Sequence, residues 1–277
     1  MIHRTLPTWQ TLSWQEELSQ LITRPKDLFD HLDLDLSLLS GAETAHALFP
    51  LRVTRSYLNR MEKGNINDPL LRQVMPLGIE DSSPAHYSSD PLEEAAFNPR
   101  KGLIHKYRGR VLLLPATQCA INCRYCFRRE FDYQANTPSR NDWEETLDYI
   151  REDDSIEEVI LSGGDPLVIS DKQLGWLVSN IADIPHVTRL RIHSRLPVVL
   201  PSRITRPLLQ AICNDNLQTV VVIHCNHPYE LDDTVSEALS LMKAQGITLL
   251  NQSVLLKDIN DSAETLIALS KRLFTPG

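Results

Sequence analysis

The sequence predicts an α/β fold: a parallel sheet of βαβ units behind a helical N-terminal region. Three observations carry this. Strand-like and helix-like stretches alternate five times from residue 110 onward, the pattern of parallel strands joined by right-handed crossovers. The strand-like stretches are largely apolar, as expected of a sheet covered on both faces or closed on itself. Polar clusters follow or end four of the five, so one edge of the sheet collects the chemistry. Periodicity alone does not separate an open sheet from a (β/α) barrel.

In the first hundred residues, 14–22, 25–32 and 43–51 carry apolar residues at intervals of three and four, which predicts short helices. Pro25 suits a helix start, whereas Pro50 and Pro69 break patterns. The stretch 68–98, rich in Pro, Ser and Asp, reads as a loop or linker. Strands are predicted at 110–114, 158–161, 187–193, 219–224 and 247–256. Helices are predicted at 142–151, 172–181, 206–213, 231–244 and 263–273. The expected division is 1–100, a helical extension and linker, followed by 101–277, the α/β unit.

Apolar residues make up 42% of the 277 and charged residues 23%, ordinary usage that permits a sizeable core. Lys and Arg number 28 against 36 Asp and Glu, a net charge of −8. That balance argues against a nucleic-acid binder working by charge alone. The opening run Met1-Ile2-His3-Arg4-Thr5-Leu6 lacks the apolar centre of a signal peptide. The longest apolar runs, 111–114 and 220–223, fall far short of a membrane span. A cytoplasmic protein with reduced thiols and no membrane or nucleic-acid partner is expected.

Three of the five cysteines fall within eight residues: Cys119, Cys123 and Cys126, spaced C-x3-C-x2-C with Tyr125 just before the last. An odd count so clustered points to metal ligation rather than disulfides. Thiolates suit zinc or an iron–sulfur cluster. Structural zinc normally takes four protein ligands, so Cys213, Cys225 or a histidine would have to complete the set. Three close cysteines match three corners of a 4Fe-4S cube, whose fourth iron stays open to an outside ligand. Three buried, inert thiols are the plain alternative. Cys213, in a helix-like stretch, reads as core.

The cysteine spacing with its aromatic resembles the signature of the radical S-adenosylmethionine (SAM) enzymes. Ser162-Gly163-Gly164-Asp165, after the second strand, is similar to that family's glycine-rich motif. The likeness is closer to the lysine 2,3-aminomutases, from about residue 100 to the end. It is carried by 110–114, Cys126-Phe127-Arg128-Arg129, 161–165, 194–201, 224–228 and 251–256. The N-terminal region, 14–34, resembles the compact bacterial branch that makes (R)-β-lysine for modifying elongation factor P.

This resemblance implies a partial (β/α)6-type TIM barrel of the radical SAM kind. It implies an isomerase that moves the amino group of L-lysine from C2 to C3 with a 4Fe-4S cluster, SAM and pyridoxal 5′-phosphate (PLP). A flavodoxin- or ferredoxin-type protein would be the reductant. By the same resemblance Cys119, Cys123 and Cys126 hold the cluster. Gly163, Gly164 and Asp165 line SAM, Arg128 pairs with the substrate carboxylate, and Arg110 faces the PLP phosphate. His224, Asn226 and Gln252 contact SAM or PLP. His227-Pro228 shapes a turn, and Lys257 closes a loop.

The family's PLP lysine, and the carboxylates for the substrate's ε-ammonium, lie beyond a sixth strand. The sequence ends at Gly277, where that strand would begin, and none of its lysines occupies the matching position. The C-terminal part of the barrel is thus expected to be missing, leaving the catalytic lysine unassigned and an unpaired strand edge that favours self-association. Two alternatives stay open: another radical SAM amino-acid 2,3-aminomutase, for example one acting on glutamate, and a non-catalytic metal-binding fragment.

Overall fold

The computed structural model describes residues 13–76, 88, 90–133 and 136–276. The opening run read for a signal peptide, and most of 77–89 within the predicted linker, lie outside the described residues.

Six strands form one sheet in the order of the chain: β1 (Leu103–Tyr107), β2 (Arg110–Ala116), β3 (Glu158–Gly163), β4 (Arg189–Ser194), β5 (Gln218–His224) and β6 (Thr248–Gln252). β1 pairs antiparallel with β2, and every later neighbour is parallel. This order decides what periodicity left open. A doubly wound sheet reverses its strand order at a switch point, and none occurs here. One-way winding with right-handed crossovers puts the crossover helices on one face and leaves the other to line an interior, as in a partial barrel. Among the described residues β1 and β6 do not pair, so the sheet is open.

The crossover helices are α5 (Arg140–Glu152), α6 (Asp171–Ala182), α8 (Arg206–Ile212) and α9 (Asp233–Ala244), with α10 (Ala263–Phe274) following β6. Each begins at a side chain that accepts a first-turn N–H: Ser139, Ser170, Thr205, Asp232 and Ser262. Such a cap stabilises a helix by about 1 kcal/mol. Ser139 with Asp142 and Ser170 with Gln173 complete reciprocal capping boxes. A short α7 (Leu196–Val199), unforeseen in the sequence, follows β4 directly.

Two strand expectations change. β1 has no counterpart among the predicted strands; it turns into β2 through Arg108-Gly109, with Gly109 at φ +83°, the backbone a tight hairpin demands. The fifth predicted strand, 247–256, shrinks to β6, because Val254 N–H bonds the Asn226 side chain instead of a neighbouring strand. Leu250, Val254 and Leu255 stay exposed at this edge.

The N-terminal helices are α1 (Trp14–Ser19), α2 (Pro25–Leu32), α3 (Leu39–Leu48) and α4 (Arg55–Leu58). α3 starts earlier than expected and ends before Pro50. The predicted linker is partly core: Leu70, Leu71, Val74 and Met75 are buried. One hydrophobic cluster runs from Ile22 and Phe29 through Leu190 to Leu269. Polar ties reinforce it. Thr54 donates its hydroxyl proton to Val199 O, and Arg60 donates to Val198 O at 2.6 Å. The fully buried Arg203 lies 4.2 Å over the Trp14 ring and donates to Leu167 O and Ile169 O. Among the described residues no helix is long and apolar enough to cross a membrane.

Candidate active site

The cysteine loop follows β2 and is gripped by the N-terminal region. Asn122 donates its N–H to Arg52 O at 3.0 Å and its side-chain amide to Pro50 O at 2.9 Å. Arg124 donates its N–H to Gln73 O at 2.9 Å and its guanidinium to Phe49 O at 2.8 Å. Ala120 and Ile121 are buried anchors, while Cys119, Cys123 and Cys126 stay half-buried and face one cavity of about 410 Å³. Burial pushes the Cys119 thiol well above its ordinary range and raises that of Cys126, with the neighbouring cysteines adding to both. Ligation must therefore displace protons. Cys225 is fully buried and Cys213 caps α8; neither lines the cavity.

The glycine motif packs on that loop. Gly164 N–H bonds Ala116 O, and Asp165 N–H bonds Gln118 O at 2.9 Å. A Cβ on Gly164 would stand 2.6 Å from Gln118 O. Gly163 sits at φ +103°, where side chains are strained. The glycines thus let backbone approach backbone beside Cys119. Asp165 lines the cavity beside them. Its Oδ1 accepts from Leu167 N and Ser194 Oγ, and its Oδ2 from Arg195 N and Leu196 N. All four lone-pair sites are filled, so the carboxylate clamps two strand-end loops together at the cavity wall. Its burial raises its pKa.

The strands supply the cavity floor through alternate residues: Leu112 of β2, Ile160 and Ser162 of β3, Arg191 and His193 of β4, His224 of β5 and Gln252 of β6. Their neighbours Leu113, Leu161, Leu190 and Ile192 point to the helices and are buried. Arg110 lines the wall, exposed, 5.0 Å over the Tyr107 ring. Lys106, also in the wall, donates to Leu92 O at 2.5 Å.

Arg128 lines the same cavity, but Glu94 holds it. Arg128 Nε donates to Glu94 Oε2 at 2.8 Å and Nη2 to Oε1 at 2.6 Å, with both side chains nearly buried. Nη1 donates to Ser162 Oγ at 3.0 Å. The fork expected to greet a substrate carboxylate is filled by one from the chain. Asn226 is a second correction. It is 1% exposed, absent from the cavity lining, and bonded to Gln73, Tyr125, Glu230 and Val254. It is a structural node, too deep to touch a ligand. His227 Nδ1 accepts from Tyr229 N–H at 3.2 Å, shaping the expected turn.

His224 packs edge-on against His193, ring centroids 5.9 Å apart. Burial lowers His224 to about 3 and His193 to about 4, with nearby positive charge adding to both. Both rings are neutral at pH 7. His224 Nε2 is buried and has no hydrogen-bond partner among the described residues, an orphan of the kind a bound ligand satisfies.

Arg191, His193, Arg195 and Glu94 were not foreseen as site residues. One signal was available: Arg189, Arg191 and His193 repeat at every second position of β4. A parallel strand packed on both faces should be apolar throughout, so this alternation betrays a polar interior.

The model of the Radical SAM superfamily matches residues 113–269. The chain is 46% identical over 275 residues to the L-lysine 2,3-aminomutase of Escherichia coli, covering 99% of this chain and 80% of that protein. It is 45% identical to that of Haemophilus influenzae, over 96% and 78% of the two chains. The likeness to the Acetoanaerobium sticklandii enzyme is 35%, over 94% and 62%. The chain belongs to the lysine 2,3-aminomutase family of radical SAM enzymes.

The family's cofactors are a 4Fe-4S cluster and SAM, joined in the aminomutases by PLP. The residues present fit them. Cys119, Cys123 and Cys126 line one cavity, as three thiolate ligands of a single cube must. The unpartnered His224 Nε2 and the exposed Arg110 guanidinium face that cavity too, one suited to a polar cofactor atom and the other to a phosphate.

Proposed function

We propose that this protein converts L-lysine to (R)-β-lysine by 2,3-amino migration, in the cytoplasm, for the post-translational modification of elongation factor P. The carrying observation is the common cavity: three cysteines, a glycine-shaped loop, an orphan imidazole and four arginines meet there. The compact branch is supported by identity, 46% to the E. coli relative against 35% to the A. sticklandii one.

In this reading Cys119, Cys123 and Cys126 hold the cluster, and Arg110 takes the PLP phosphate. His224 and Gln252 meet SAM or PLP. Gly163, Gly164 and Asp165 line SAM while setting the cysteine loop against β3 and β4. Arg128 receives the substrate carboxylate after Glu94 yields its place. Bound together, the cluster and SAM supply hydrogen abstraction at C3 of lysine, and PLP carries the migrating nitrogen. The chain's own contribution is to orient these groups and shield them from water. A helical extension, 1–100, that braces a barrel, 101–277, belongs to the same reading, supported by the bonds from Phe49, Pro50, Arg52 and Gln73 to the cysteine loop.

The test is anaerobic reconstitution followed by reduction with lysine present. The expected protein is brown, holds roughly four irons per chain and cleaves SAM; with PLP and a PLP-binding lysine supplied it yields β-lysine, resolved by chromatography from the isomeric lysine. A colourless protein holding one zinc would overturn the reading. Turnover of glutamate in place of lysine would overturn the substrate.

A further inference from the structure

Beneath the cysteine loop lies a buried charge that the proposed chemistry does not use. Arg195, 4% exposed, points its guanidinium at the loop from the end of β4. Nη1 donates to Cys123 Sγ at 2.7 Å. Nη2 donates to Gln73 Oε1 at 2.7 Å, Glu230 Oε2 at 3.0 Å and Tyr57 OH at 3.2 Å. The guanidinium carbon lies 5.3 Å from the Tyr57 ring centroid and 5.6 Å from that of Tyr125.

Both ends of this arginine are fixed. Its backbone N–H bonds the buried Asp165. Its counter-ion Glu230 is fully buried, and Oε1 of that carboxylate accepts from Asn226 N at 2.9 Å, His227 N at 3.0 Å and Gln73 Nε2 at 3.1 Å. A guanidinium so held cannot follow solvent, so its field at Cys123 is permanent.

We propose that Arg195 is a positioning residue that sets the reduction potential of the cluster through its hydrogen bond to Cys123, with Glu230 as the counterweight. This rests on the reading of Cys123 as a cluster ligand. Reduction adds one electron from a low-potential protein donor, and no bond breaks. That electron raises the negative charge on the ligand sulfurs. A positive donor at hydrogen-bond distance stabilises the reduced state, and a carboxylate one guanidinium farther away opposes it more weakly. The arrangement therefore holds the potential above that of an unassisted cube.

The test is a redox titration of the reconstituted holoenzyme, followed by the electron paramagnetic resonance signal of the reduced cluster. Arg195→Gln should lower the midpoint, shifting the reduction equilibrium about tenfold, about 59 mV for one electron. Glu230→Gln should move it the opposite way, and Arg195→Lys should lie between Arg195→Gln and wild type. Opposite signs for the two neutral variants are what a merely structural ion pair would not produce. Iron-replete variants that share the wild-type midpoint would overturn the proposal. If Arg195→Gln fails to fold, Arg195→Lys and Glu230→Gln decide by the same signs. Wild-type protein that takes up no cluster would sink the cluster reading itself. A wild-type cluster whose potential ignores both residues would sink only this inference.

Discussion

Replacing Gly164 by alanine isolates how the glycine motif acts. The new Cβ would stand 2.6 Å from Gln118 O, 2.7 Å from Gln118 N and 3.0 Å from Ala116 O. These are backbone atoms immediately before Cys119, so no side chain can swing aside. Regaining an ordinary contact of about 3.4 Å means moving the loop by about 0.7–0.8 Å. Overpacking of this kind costs about 1–3 kcal/mol, a fall in Tm of about 2–12 °C for a chain of this size.

The control is Gly246→Ala. Gly246 has φ +79° with nothing within 4 Å, so alanine there adds only the left-handed backbone penalty of about 1–2 kcal/mol. The two variants should lose similar stability, yet only Gly164→Ala should lose iron after anaerobic reconstitution. Iron per chain and thermal melting, measured on the same samples, decide it. Full iron in Gly164→Ala, or equal loss in both, would refute the idea that this glycine registers the cysteine loop.

Other outcomes follow from the same geometry. Cys123→Ala should abolish reductive SAM cleavage while the fold persists by circular dichroism, whereas Cys213→Ala should keep its iron at a cost of about 1 kcal/mol. Glu94→Ala leaves the nearly buried Arg128 without its carboxylate, and urea denaturation should register a loss of about 3–5 kcal/mol. His193 and His224 titrate far below the ordinary imidazole value of about 6.5. The unfolded chain therefore binds protons that the folded one refuses. Stability is full above about pH 6.5 and falls by a few kcal/mol as pH drops toward 4. Urea midpoints of the apo-protein across that window should show the slope, and His224→Asn should reduce it; an unchanged slope would contradict the burial of that ring.

The sequence by itself determined the alternation of strands and helices and the cysteine triad on a loop after β2. These are local properties: apolar period and ligand spacing act within a few residues of each other. Only the tertiary structure decided what the polar residues around the triad do. Asp165 is held by Ser194, Arg195 and Leu196, 29 to 31 residues away, Asn226 by Tyr125 and Gln73, 101 and 153 residues away, and Arg128 by Glu94, 34 residues earlier. Strand order is equally non-local, for the same βαβ pattern serves an open sheet or a barrel until pairing is fixed. A buried donor or acceptor must find a partner wherever the chain brings one, and which one it finds is a fact about packing that no spacing along the sequence encodes.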